Sequence, residues 1–93
     1  MSRNAAESLA IQALAFIAGE PERIGPFLAA TGIGPGDIRG AAREPSFLAG
    51  VLDYLAADER LLVAFAADAG IDPFEVGRAG ALLGRRTGEH DVP

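Results

Sequence analysis

The chain aligns with itself under a shift of 38 positions, and this constrains its fold more than any other feature. Residues 27–41 read FLAATGIGPGDIRGA and residues 65–79 read FAADAGIDPFEVGRA. The shift sets Phe27 on Phe65, Ala29 on Ala67, Gly32 on Gly70, Ile33 on Ile71, Pro35 on Pro73 and Ala41 on Ala79. It continues upstream without a gap, with Leu14 falling on Leu52, Phe16 on Tyr54, Ile17 on Leu55 and Ile24 on Leu62. Alanine-rich helical chains do align with themselves by accident, but the ordered G-I-x-P block with its matching caps is harder to obtain that way. The expectation is two copies of one helix triplet sharing a core, repeat one over about 9–44 and repeat two over about 47–82.

The periodicity within each copy is helical. Leu9, Ala13, Phe16 and Ile17 share one face of a helix over about 5–18, with Ala10 and Leu14 beside them and Asn4 with Glu7 as a capping box. Pro21 suits a first helical turn. Pro26 would sit inside a helix, where it loses a bond and clashes with the preceding turn. A short turn near 21–24 followed by a helix to Thr31 is therefore predicted, with Ile24, Phe27 and Leu28 inward and Gly32 as a left-handed stop. A third short helix runs from Pro35 to about Arg43, weakened by Gly36 and Gly40. Glu44-Pro45-Ser46 joins the copies. The second copy predicts helices over about 45–57, 59–69 and 73–83, stopped by Gly70 and restarted by Asp72-Pro73-Phe74-Glu75. Residues 84–93, GRRTGEHDVP, read as a frayed tail beyond a single domain of residues 1–83. Alternating β-branched runs are missing, so the predicted class is all-α: a compact bundle of five or six short helices, arranged as two pseudo-symmetric three-helix repeats.

Composition narrows the function classes. There is no cysteine, which removes disulfides and thiolate chemistry. A net charge of −5 opposes non-specific attraction to nucleic acid and anionic membrane. All eight cations are arginine, as a high-GC coding bias would produce. LAIQALAFIA, residues 9–18, resembles a signal-peptide core, but Glu7 precedes it, Gln12 interrupts it and FLAGVLDYLA at 47–56 is its internal counterpart. No apolar run approaches the ~20 residues of a spanning helix. No membrane association and a cytoplasmic location are the expectations.

The run from Pro21 to Val76 carries the strings F-L-x-x-T-G-I-x-P-x-D-I-R and F-L-x-x-V-L-D-Y-L-x-x-D-E. In these the chain resembles a family of short bacterial proteins, mostly alphaproteobacterial, known as domain of unknown function number three-five-seven-two. The resemblance covers about residues 5–83. It implies an all-helical cytoplasmic protein and carries no established activity, so it transfers no functional residue.

Candidate chemistry is sparse. The Gly32–Gly36 run follows a helix rather than a strand and lacks a lysine, so it reads as a stop and restart, not a phosphate loop. His90, the lone histidine, stands in the tail and cannot assemble a metal site alone. Glu20/Glu22 and Asp58/Glu59 occupy equivalent helix starts, where negative charge is favoured without any catalytic role. Neither a cofactor, a metal nor an enzymatic activity is expected. A helix-turn-helix spacing is present, with a residue four positions before a turn glycine and an aliphatic six after it: Ala66-Gly70-Val76 and, with a larger first residue, Leu28-Gly32-Ile38. The following helices would present Arg39 and Arg43, or Arg78 with Arg85 and Arg86 nearby, to phosphate or guanine edges. Asp37, Glu75 and the acidic balance weigh against nucleic acid. Phe74, opposite Gly36 in the other copy, either anchors a partner or staples its helix to a neighbour, and packing is the favoured expectation. The reading is a non-catalytic protein–protein interaction module, binding another protein or itself, with a small helix-turn-helix DNA-binding protein as the alternative. The contact candidates are Arg39, Arg43, Phe74 and Arg78.

Overall fold

The computed structural model describes residues 1–88, with side chains through Gly84; His90 and the rest of the predicted tail beyond Gly88 lie outside the described residues. Six helices follow in order: α1 Arg3–Ala18, α2 Pro21–Thr31, α3 Ile38–Ala41 with a leading 3-10 turn Pro35–Asp37, α4 Pro45–Ala56, α5 Glu59–Ala69 and α6 Pro73–Gly88. Among the described residues there is no strand.

Each helix begins and ends for a local reason, and four differ from expectation. The Ser2 hydroxyl, not Asn4, caps α1 by accepting from the Ala5 N–H at 3.0 Å. Helix α2 runs unbroken through Pro26. Gly25 has no Cβ to press on the proline ring. The interior proline costs ~3 kcal/mol. Burying Phe27 on the next residue returns a comparable ~1.5–3 kcal/mol. The third helix is not continuous: it opens as a 3-10 turn and makes barely one α-turn, as its two glycines would favour. Helix α6, expected to stop near Leu83, runs to Gly88. Elsewhere the signals hold. Gly32 and Gly70 take left-handed conformations at φ 72° and 69°, and their N–H groups donate to the carbonyls of Leu28 and Ala66. Asp58 caps α5 through the Leu61 N–H, and Asp72 receives the Phe74 N–H at 2.9 Å.

Helices α1, α4 and α6 form the centre and pack on one another most extensively, with α2 against α1 and α5 against α4 and α6. Ile17, Leu52, Leu55, Val76 and Leu83 are sealed between them, and no polar or charged side chain among the described residues is buried. At Gly80 the α4 and α6 surfaces meet so closely that a Cβ would lie 3.4 Å from the Leu52 Cβ and 3.3 Å from Asp53 Oδ1.

Two aromatic contacts exchange under the 38-residue shift. The Phe65 ring meets Phe16 edge-on at 5.5 Å, and the Phe27 ring meets Tyr54 edge-on at 5.1 Å. Phe65 stands on α5 and Phe16 on α1; Phe27 stands on α2 and Tyr54 on α4. The third elements do not correspond. Helix α6 inserts between α1 and α4, whereas α3 reaches the core only with Ile38 and Ala42, both half-buried.

Candidate functional site

The four contact candidates fall into two pairs on separate elements. Arg39 is exposed on the single turn of α3, and Arg43 is exposed in the link to α4. Phe74 and Arg78 stand one turn apart on α6, whose extensive packing is with α4 and α1 and does not include α3. Arg39 and Arg43 thus sit on a different element from Arg78, with no extensive packing between the two.

On α6 the helical period separates two faces. Val76, Ala79 and Leu83 are buried, whereas Phe74, Gly77, Arg78 and Ala81 point outward. Phe74 is 79% exposed, the most exposed of the large hydrophobics. The expectation that it packs onto a neighbour is thereby overturned. The Asp72 carboxylate holds the Phe74 N–H and so fixes the first turn, and with it the ring's outward direction. A wet aromatic of this size gains ~1.5–3 kcal/mol when covered. Arg78 donates to Glu75 at 3.5 Å, with the two side chains 60% and 35% exposed. A pair this long and this wet contributes little to stability.

A shallow open cleft of about 450 Å³ adjoins the start of α6. Leu9, Ala5, Ala69 and Ile71 contribute its apolar surface, and Ser8, Gln12 and Glu75 its polar groups. It shares Gln12 and Ala69 with a second cleft against Phe16 and Phe65, so the two form one furrow beside α1. Its carboxylates, Asp68 and Glu75, line different ends, so it does not pair an acid with a base. Among the described residues no group of three or more His, Cys, Asp or Glu gathers closely enough to hold a metal ion.

Arg23 has a role that the sequence pattern did not expose. Its Nε–H donates to the Phe16 carbonyl at 2.9 Å, and its guanidinium lies 4.0 Å from the centre of the Phe16 ring. It thus ties α2 to the last turn of α1 by a charge-assisted bond and a cation–π contact. The partners are seven residues apart across a turn, a spacing with no local signature.

These features define a small all-α domain with a wholly apolar core and an exposed aromatic on its central helix. Residues 3–86 match the model of the family described as a protein of unknown function, DUF3572, and the chain belongs to that family. No curated protein and no solved structure matches the chain. No helix among the described residues is long and apolar enough to cross a membrane.

Proposed function

We propose that the protein is a non-catalytic cytoplasmic interaction module that binds another protein through the outward face of α6. The observation that carries this reading is Phe74, an aromatic 79% exposed on a turn held by the Asp72 cap. Buried aromatics beside an arginine are the usual anchors of protein interfaces, and Arg78 is one turn away. Of the carboxylates weighed for acid–base chemistry, Glu20/Glu22 and Asp58/Glu59, Asp58 caps α5 through its side chain, whereas Glu20 starts α2 without a side-chain cap bond. The test is affinity capture from native lysate with wild type and Phe74→Ser, each with and without nuclease. A protein that resists nuclease and is lost with Phe74→Ser supports the reading; identical capture by both forms sinks it.

The DNA-binding alternative has one observation in its favour. Around left-handed Gly70, Ala66 and Val76 are both buried, as a helix-turn-helix corner requires, and Arg78 is exposed on the following helix. The same corner suits any two helices packed across a tight turn. Phe74 also occupies the start of the helix, where base-edge contacts call for polar groups. Duplex binding at low salt, weakened by Arg39→Ala, Arg43→Ala or Arg78→Ala, would favour this alternative.

A further inference from the structure

We propose that the Glu44–Pro45 step is a conformational lock: it is the one break between α3 and α4, and without it the two helices fuse and the chain exchanges its halves, α1–α3 and α4–α6, with a second copy. Neither half is complete alone. Helix α1 packs extensively on α4 and α6. The ring contacts of Phe16 with Phe65, and of Phe27 with Phe47 and Tyr54, all run between the halves. Separating the halves therefore uncovers Ile17, Phe27, Leu52 and Phe65, which the closed chain seals, unless another copy supplies the missing half.

The break itself is narrow. Three residues, Ala42, Arg43 and Glu44, separate α3 from α4. Ala42 has helical backbone angles, and the N–H groups of Arg43 and Glu44 donate to the carbonyls of Gly40 and Ala41 at 3.2 and 2.9 Å. On the other side the Glu44 carbonyl already accepts from the Leu48 N–H at 3.1 Å. Between these bonds Glu44 is extended, at φ −94° and ψ 119°. Its side chain is exposed and makes no cap bond, so no contact of its own holds it there. Pro45 does. Its ring crowds the preceding residue out of the helical region, and it has no N–H to give to the Ala41 carbonyl.

With another residue at position 45, Glu44 is free to turn helical. The N–H of residue 45 then donates to Ala41, and those of Ser46 and Phe47 to Ala42 and Arg43. Residues 38–56 become one helix, roughly 19 residues and ~28 Å long, that carries the two halves apart along its axis. Each half then closes on the complementary half of a second copy and rebuilds the same core. Two things oppose opening: the half-buried Ile38 and Ala42, and the millimolar effective concentration of tethered halves. The locked chain is thus monomeric, and exchange needs both the loss of the proline and a high protein concentration. Pro21 and Pro73 also start helices, but each lies within one half, whereas Pro45 stands where the two join. Phe74 and the outward face of α6 take no part.

The test is to unfold and refold wild type, Pro45→Ala, Pro45→Gln and Pro45→Gly at ~10 µM to ~1 mM, up to the effective concentration of the tethered halves, and to measure mass by sedimentation velocity. Wild type should return as monomer. Pro45→Ala and Pro45→Gln should return dimers whose share rises with refolding concentration, at least about tenfold above wild type at the highest. Pro45→Gly removes the ring but disfavours helix, so it should stay close to wild type. In the dimer the backbone chemical shifts of Glu44 should move from the extended to the helical range, a change that association through an outer surface would not produce. Circular dichroism confirms that each variant is folded. Alanine and glutamine variants that stay monomeric throughout, a dimer in which Glu44 remains extended, or as much dimer from wild type or Pro45→Gly, overturns the proposal.

Discussion

Alanine substituted for glycine should move stability in opposite directions at two positions of this fold. Gly70 terminates α5 at φ 69°, and a Cβ built there meets nothing within 4 Å. The effect of Gly70→Ala is therefore purely conformational, because the side chain has room and only the backbone objects. A left-handed conformation costs an L-residue ~1–2 kcal/mol. Gly50 is also unobstructed, but it lies exposed inside α4 without a left-handed φ. There alanine gains the helix propensity that glycine lacks, ~0.8–1.0 kcal/mol. In a domain of this size 1 kcal/mol shifts Tm by ~4–8 °C. Gly70→Ala should thus lower Tm by ~4–16 °C and Gly50→Ala raise it by ~3–8 °C. Gly70→Val should fall further than alanine, because β-branching is least tolerated at positive φ, and Gly70→Asn should fall least. Thermal unfolding followed by circular dichroism measures all four variants. An unchanged Tm for Gly70→Val, or losses of equal size at positions 50 and 70, would show that the turn conformation is not what holds α5 and α6 in place.

Three further perturbations probe the packing. Phe27→Ala removes a fully buried ring that touches both Phe47 and Tyr54, and should cost ~3–5 kcal/mol in urea unfolding, enough to leave so small a domain barely folded. Gly80→Val drives a branched side chain into the Leu52–Asp53 surface and should destabilise by ~1–3 kcal/mol, the opposite of the helix-propensity expectation for replacing a helical glycine; a rise in Tm would show that α4 and α6 are not in close contact there. Arg23→Lys keeps the charge but loses the planar group that bonds the Phe16 carbonyl while covering its ring, so it should behave more like Arg23→Ala than like wild type in chemical denaturation.

The local punctuation of the fold was legible in the sequence; the long-range packing was less so. Glycines 32 and 70, the prolines at helix starts and the Asp58 and Asp72 caps act through their immediate neighbours, so their pattern maps directly onto helix boundaries. Pro26 misled because the penalty of an interior proline is local, whereas the burial that offsets it, Phe27 against Tyr54 and Phe47, comes from another helix. Arg23 was invisible for the same reason. Phe74 was misjudged because an apolar residue beside a cap resembles a helix staple, and only the direction of the first turn shows that the ring faces water.

The asymmetry of the third elements connects the fold to the candidate surface. Two helix pairs that exchange aromatic contacts, Phe65 on Phe16 and Phe27 on Tyr54, leave α1 and α4 side by side with one groove between them to fill. A single long helix fills it, and α6 does so with Val76, Ala79, Gly80 and Leu83. The segment Pro35–Ala41 lies outside this centre. It shortens to a 3-10 turn and a single α-turn, which its glycines permit. A helix wedged between two others on one side is rigid on its other side, because its rotation is set by the buried face. Phe74, Gly77, Arg78 and Ala81 are therefore presented in a fixed register, whereas Arg39 and Arg43 ride on a segment that touches the core only through Ile38 and Ala42. A preorganised face loses less conformational entropy on binding than a loosely held one. That difference, more than the number of arginines on either element, is why the proposed recognition surface is placed on α6 and not on α3.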